Sequence, residues 1–444
     1  MLSVKLLQHY FGIPHESIRA RLARGIGWNV VSSVFTQGSV FLTNVVIANV
    51  LGRVVFGEFG MIQNTALIVA GMAQMATGVT ATKYIAEFRS SDPGRAARIL
   101  GLCSVVSLIA AFAATLVIAL IASWLASSIL KAPHLTRGII ISSAVIFFSV
   151  INGFQTGALA GLEGYGKLAR AGIIQGIFYL SVCTLFAWLW ELEGALGGLA
   201  VSFFLRWHIF NSALKQECAE QKFCANYGNW WIERPLITKF MLPSAAIGLL
   251  SLPIVWLSNV LLVREPDGYS QMGIFSAAYS LRTMIIFLPS LMNNVGMSIL
   301  NFQKGTQNER NYKKVFLANF ALTQSVGLIV GVIVILLGPW LLRAFGKDFP
   351  EGYTVLLILV FSGIAEVLST AIYQVIQSQE RMWLSFFSIN APWCIGFILS
   401  AYIFIPVNLA LGLAWAYLIA WCVHVAMTGL QAWRVGLWKL ERNS

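Results

Sequence analysis

The residues of this chain best suited to chemistry are charged side chains that interrupt long apolar segments. Arg282 and Glu366 are the clearest pair, because each lies about 12 or 13 residues, or roughly 18–20 Å, from the predicted outer end of its helix. A charge at mid-bilayer is costly and is usually kept for a transport pathway or a buried partner. Two roles are therefore open: a structural salt bridge, or an arginine that faces an anionic ligand while Glu366 tunes it or takes up a proton.

Further polar groups are candidates to line the same pathway. The first predicted helix places Asn29, Gln37 and Asn44 within an arc of roughly 100°, a face that lipid tails would not solvate. Taken singly, such groups equally suit hydrogen bonds that hold a helix bundle together. Arg206, near the inner end of a later helix, either reaches back to the membrane surface or offers a cation. The predicted substrate-binding residues are Arg282, Arg206, Arg53, Asn29, Gln37, Asn44 and Asn259, and Glu366 is the candidate for proton coupling.

Motifs of soluble enzymes and of metal or cofactor sites are missing from the sequence. It has no Walker loop, no dinucleotide fingerprint and no HExxH. Only Cys218 and Cys224 lie in a polar segment, and no histidine is near them, so they predict neither a zinc site nor a disulfide framework. We therefore expect no catalytic residue, no metal and no cofactor, and the short outer loops disfavour a membrane-bound glycan polymerase or ligase.

The elements that position these residues must be membrane helices. Hydrophobic residues make up 58% of the 444 positions and charged residues only 11%, whereas about 25% of a globular protein is charged. Twelve spanning helices of about 20 residues require roughly 240 apolar-dominated positions, which leaves little for a soluble domain. The composition predicts an all-α polytopic membrane protein with about 12 transmembrane helices. We place their cores at 26–51, 56–82, 97–125, 137–160, 168–190, 194–214, 237–263, 270–300, 314–341, 353–378, 382–405 and 409–433.

The basic residues are distributed unevenly between the two sides of the predicted membrane. Of the 30 lysines and arginines, 22 fall on the side of the N-terminus, six on the opposite side and two within helices. Positive charge is enriched in cytoplasmic loops, so both termini are predicted to be cytoplasmic. This distribution also accounts for the net charge of +12, which removes the main argument for a nucleic-acid partner.

The sequence also repeats itself at a nearly constant offset. Phe56–Ile62 is similar to Tyr269–Phe275, and Ala195–Gly197 to Ala410–Gly412, at offsets of 213 and 215. Asn259 corresponds to Asn44 at the same offset of 215. Two six-helix halves with the same membrane orientation would be related by a pseudo-twofold axis along the membrane normal. We predict a cytoplasmic N-terminal segment, an N-lobe, a cytoplasmic link, a C-lobe and a cytoplasmic tail, at 1–24, 25–214, 215–236, 237–433 and 434–444.

Two stretches of the first half carry a family resemblance. NVVIANVLGRVVFGEFGMIQ (Asn44–Gln63) and GVTATKYIAEF (Gly78–Phe88) resemble the start of polysaccharide or O-antigen flippases of the multidrug/oligosaccharidyl-lipid/polysaccharide (MOP) exporter superfamily. The similarity consists of small residues and glycines around Leu51–Gly60 and of the helix end at Lys83–Ile85, without a catalytic motif. The helix number and the duplication extend it over essentially the whole chain.

The resemblance implies two lobes around a central cavity, alternating access, and transfer of an undecaprenyl-pyrophosphate-linked oligosaccharide to the outer leaflet of the bacterial inner membrane. It implies a role in cell-surface polysaccharide biosynthesis, such as that of lipopolysaccharide O-antigen. The expected partners are the lipid-linked oligosaccharide, membrane lipids and other glycan-assembly proteins. The alternative in the same superfamily is a cation-coupled multidrug exporter, which typically keeps an acidic residue in helix 1 or helix 7. Neither predicted helix core contains one.

Overall fold

A computed structural model describes residues 18–221, 225–305, 309–377 and 385–434, with side chains from Ser32 onward except those of 294–315 and a few single positions. Within these ranges the chain consists of helices and short connections, without a β-strand, which confirms the predicted all-α fold. The ten α-helices are α1 (Ile18–Ala73), α2 (Thr77–Phe88), α3 (Pro93–Trp124), α4 (Thr136–Gly161), α5 (Tyr165–Glu220), α6 (Leu242–Val263), α7 (Gly268–Gly305), α8 (Glu309–Phe345), α9 (Tyr353–Gln377) and α10 (Ala391–Arg434).

Nine helical stretches of the described chain are long and apolar enough to cross a membrane. Three of them have 42, 56 and 49 residues, about twice the roughly 20 residues that one crossing needs. Each contains a break in its backbone: Gly52 in α1 (φ 75°), Trp190 and Glu191 in α5, and Leu409 in α10. Division at these breaks gives a helix number compatible with the predicted twelve.

In α5 and α10 the two limbs of the broken helix fold back on each other. In α5, the Cys183 Sγ lies 3.6 Å from the Ser202 Oγ across the break. In α10, the rings of Trp393 and Trp421 lie with their centroids 5.7 Å apart. The breaks in α5 and α10 are therefore tight reversals within continuous helices, where the sequence had predicted connections of a few residues.

The helices pack mainly within their own half of the chain. In the first half α5 packs on α1 and α4, and α4 on α3; in the second half α9 packs on α10, α7 and α8. The two halves meet chiefly where α1 lies against α7, with smaller contacts from α1 to α6 and α8. Large apolar side chains such as Leu120 and Val407 remain exposed on the outside, as expected for surfaces that face lipid.

The segment between the halves is held against α3. Helix α5 continues to Glu220, and a short 3₁₀ turn follows at Trp230–Glu233. The Glu233 carboxylate is buried and accepts hydrogen bonds from the Arg95 Nε at 3.3 Å and the Arg98 Nη2 at 3.1 Å. The link is thus tied to the first half by charge-assisted hydrogen bonds, while the domain limits given above stay predictions.

Candidate functional site

Two adjoining cavities of about 290 and 300 Å³ lie where α1 meets α7. Gln37, Tyr279 and Thr283 line both of them, so the cavities share a wall. We call the first the amide chamber; its polar lining comes from Gln37, Asn44, Gln63, Asn64, Ser276, Ser280 and Thr283. We call the second the arginine chamber; its lining residues are Gln37, Tyr279, Arg282, Thr283, Ile286, Phe287 and Glu366.

Arg282 and Glu366 form an ion pair that also lines the arginine chamber. The Arg282 Nη2 lies 2.5 Å from the Glu366 Oε2, and the Arg282 Nε donates to the Ser362 Oγ at 2.8 Å. The guanidinium carbon lies 5.3 Å from the ring centroids of Tyr279 and Tyr417, a distance at which cation–π attraction acts. The arginine side chain is 2% exposed and the glutamate side chain 19%. Arg282 and Glu366 therefore pair with each other and also line the chamber, and Glu366 is the more accessible of the two.

Helical spacing explains how this cluster assembles. Arg282 and Thr283 follow Tyr279 by three and four residues on α7, so each lies on the same side of the helix as Tyr279. Ser362 and Glu366 are likewise four residues apart on α9 and present their oxygens to that face. The site is thus built on rigid helices of the second half.

One hydrogen bond joins this cluster to the first half. The Gln37 Nε2 donates to the Thr283 Oγ1 at 3.3 Å, which connects α1 to α7 between the two chambers. Asn44 lies two turns further along α1 and lines the amide chamber, where its buried Oδ1 has no hydrogen-bond partner among the described residues. A buried acceptor without a donor is costly, so this oxygen is a candidate to bind a ligand hydroxyl.

Of the other predicted polar site residues, Asn259 is not among the described residues that line the two chambers. Asn259 is 1% exposed, and neither its Nδ2 nor its Oδ1 has a partner in the described part of the chain. Asn29 lies in the backbone of α1, but its side chain is outside the described residues. Asn259 therefore does not reproduce the position of Asn44, although the two match in the sequence repeat.

The other two predicted cations also lie elsewhere than the chambers. The Arg53 Nη1 lies 2.6 Å from the Glu351 Oε2, and its Nη2 lies 3.6 Å from the Asp267 Oδ2. Arg206 stacks its guanidinium over Phe210 at 4.9 Å, and its buried Nε has no partner among the described residues. Arg282 is the one predicted cation that the described structure places in a chamber wall, and substrate contacts of the other two stay predictions.

Arg53 lies at the end of the molecule where α1 breaks, which we call the Gly52 end. There α1 and α7 cross so closely that a Cβ at Gly57 would overlap the Tyr269 carbonyl, and one at Gly273 would overlap the Arg53 carbonyl. These glycines lie in the two repeated motifs, so the repeats pack against each other. The aromatic rings of Phe56, Phe345 and Phe349 lie about 6 Å apart beside this crossing.

Sequence reasoning missed several of these functional candidates. Gln63 and Asn64 line the amide chamber from α1, and Ser276 lines it from α7. The sequence signal that could have identified Gln63 and Asn64 was the presence of two adjacent amide side chains inside an apolar helix. The partners of Arg53 gave no such signal, because Glu351 is far away in the sequence.

Comparison with known proteins identifies the family. The sequence model of the protein family described as "Polysaccharide biosynthesis protein" matches residues 22–297. The chain belongs to this family. It is a family of transporters rather than enzymes, and this membership confirms the predicted MOP-superfamily relationship.

Known relatives and structures agree with this assignment. The chain is 24% identical over 381 residues to the "EPS I polysaccharide export inner membrane protein EpsE" of Ralstonia nicotianae, with 84% of each chain covered. Its fold is similar to that of the lipid II flippase MurJ in an inward closed conformation, with a TM-score of 0.72, 12% identity, and 91% of this chain and 87% of that chain covered. An inward-facing multidrug resistance MATE family transporter gives a TM-score of 0.67 at 14% identity, with 93% and 99% covered. The protein is thus a multi-pass membrane protein with a MOP-type fold.

Proposed function

We propose that this protein is a flippase that moves an undecaprenyl-pyrophosphate-linked oligosaccharide from the cytoplasmic to the outer leaflet of the bacterial inner membrane. The observation that carries the proposal is Arg282, a buried cation in the wall of a cavity between the two halves of a polysaccharide-family transporter. A pyrophosphate needs such a cation, whereas the prenyl chain can stay in lipid at the gap between the halves.

Arg282 has hydrogen-bonding capacity left for this task. A guanidinium carries five N–H donors, of which those on Nε and Nη2 meet Ser362 and Glu366. Its planar fork suits bidentate contact with phosphate better than a lysine ammonium does. Glu366 competes with the phosphate for the same cation, so uptake of a proton by Glu366 would release Arg282 for substrate, and this exchange is the proposed coupling step.

Complementation tests the proposal in cells. A strain that lacks its own polysaccharide flippase should regain lipid-linked glycan at the outer leaflet when it produces this protein with the matching glycosyltransferases. Arg282→Ala should abolish surface glycan at near-normal membrane levels, because the Glu366 left behind is 19% exposed and can take up a proton. Arg343→Ala, which changes an exposed arginine on α8, should not abolish surface glycan. A loss of protein in step with a loss of function would instead favour a purely structural role for Arg282.

We also propose that both termini lie in the cytoplasm, as the distribution of basic residues indicates, and that the two halves act as lobes that rock about the central cavity. Cysteines introduced at Glu191, in the break of α5, and at Asp348, after α8, should react with an impermeant maleimide added from the periplasm. A cysteine at Lys222, which is outside the described residues, should not react. Labelling in the reverse sense would overturn this orientation.

A further inference from the structure

The amide chamber differs in chemistry from the arginine chamber beside it. Its lining residues carry side-chain amides, hydroxyls, aromatic or aliphatic carbon and the thioether of Met272. Lysine, arginine, histidine, aspartate and glutamate are all missing from the lining residues that the structure describes. The chamber is therefore polar without carrying a formal charge.

The two chambers are arranged in series along α7. Thr283 and Tyr279 belong to both, and Tyr417, whose ring lies 5.3 Å from the Arg282 guanidinium carbon, lines the amide chamber. A ligand whose phosphate contacts Arg282 would place its next chemical group beside Tyr279. For a lipid-linked oligosaccharide that group is the first sugar.

The lining suits an uncharged sugar ring. Amides such as Asn44, Gln63 and Asn64 can each donate to and accept from hydroxyl groups, and the buried Asn44 Oδ1 has no donor among the described residues. The aromatic rings of Phe275 and Tyr417, with centroids 5.7 Å apart, offer apolar faces to the C–H groups of a sugar. A volume of about 290 Å³ is at the lower end of small-molecule sites, so the chamber holds a short part of a glycan.

An acidic sugar would be disfavoured in the same place. A buried carboxylate without a partner is costly. The nearest described cation, Arg282, lies in the arginine chamber, where the proposed function assigns it to the pyrophosphate. We infer, on the basis of the flippase function proposed above, that the amide chamber binds the sugar next to the pyrophosphate and selects an uncharged one.

The test uses the purified full chain in proteoliposomes and two synthetic lipid-linked disaccharides. The disaccharides differ only at C6 of the first sugar, which is a hydroxymethyl group in one and a carboxylate in the other. Transport and dissociation constants are measured for both. We expect the uncharged substrate to bind and move at least about tenfold better, because an unpaired carboxylate has no partner in the chamber.

A variant pair strengthens the assignment to this chamber. Gln63→Lys adds a cation to the lining and should shift the preference towards the acidic substrate, whereas Asn229→Lys adds the same charge at an exposed site outside both chambers and should not. Monodisperse elution from a size-exclusion column in detergent checks that each variant is folded. If Gln63→Lys fails this check, Asn44→Asp is tested in its place. The added carboxylate of Asn44→Asp should weaken binding of the acidic substrate further.

The outcomes separate this inference from the proposed function. Equal binding and transport of both substrates, or a preference for the acidic one, would overturn the sugar selectivity and leave the flippase function standing. Absence of binding and transport for both substrates would overturn the flippase function and the inference with it.

Discussion

Glu366→Gln removes the charge that faces Arg282 and keeps the shape of the side chain. Loss of one partner of a buried ion pair destabilises a protein by about 3–5 kcal/mol, because the other charge stays buried. Glutamine can still accept a hydrogen bond, Arg282 keeps its contact with Ser362 at 2.8 Å, and 19% of the Glu366 side chain is exposed. We therefore expect the lower end of that range, about 3 kcal/mol, or roughly a hundredfold in the ratio of folded to unfolded protein.

The assay combines unfolding in detergent, abundance in the membrane and gradient-driven transport. Glu366→Gln should be less stable and defective in transport while still binding substrate, and Glu193→Gln, at an exposed position, should match the wild type. The double change with Arg282→Gln should recover stability, because neither charge is then left unpaired, but not transport. Additive losses in the double mutant would refute the buried-pair reasoning.

Activity gives two further outcomes for this pair. Full transport by the single Glu366→Gln variant would eliminate the protonation role. Restored transport in the double mutant would assign both residues to a structural pair and leave the cavity without its proposed phosphate contact.

The remaining predictions concern the packing at the Gly52 end. The proposed orientation places this end in the periplasm, because Arg53 pairs with Glu351 close to Asp348. Arg53→Ala removes ion pairs of the exposed kind that contribute roughly 0–1 kcal/mol, so protein abundance should be unchanged. If these pairs keep this end closed, the same change should make a cysteine at Gln63 more reactive to an impermeant maleimide added from the periplasm, and unchanged labelling would show that they do not. Gly57→Ala should lower protein level and transport, because its Cβ would overlap the Tyr269 carbonyl. The control Gly38→Ala should be neutral or slightly stabilising, because its Cβ meets nothing within 4 Å. Equal stability of the two alanine variants by thermal unfolding would contradict the close crossing.

Much of the fold could be predicted from the sequence because lipid imposes a simple rule: a long apolar segment must be a helix. The similar depth of Arg282 and Glu366 was readable from residue counts alone, and the structure pairs them. The helix ends at 51, 190 and 405 were predicted near the observed breaks, but the breaks were expected to be connections of a few residues. Gly52 and Leu409 adopt positive φ angles within continuous apolar helices, and leucine gives no sign of such a conformation in a sequence.

The site was predicted only in part, because its residues come together by tertiary packing. Gln37 and Asn44 were found from their shared helix face, and both line the chamber wall. The same reasoning did not show that Arg53 pairs with Glu351 and Asp267, since a single sequence carries no information on which distant charges meet. The internal repeat likewise predicted matching asparagines but not that one would line a chamber and the other lie outside it.

The most direct test of the central claim is translocation of a fluorescent undecaprenyl-pyrophosphate-linked oligosaccharide by the purified protein in proteoliposomes. An impermeant quencher reports how much of the lipid faces outward with time. The wild-type protein and Arg343→Ala should exchange the labelled lipid between leaflets, and Arg282→Ala should not. Equal exchange in all three and in protein-free vesicles, or transport of cationic drugs in place of the lipid-linked glycan, would contradict the flippase account.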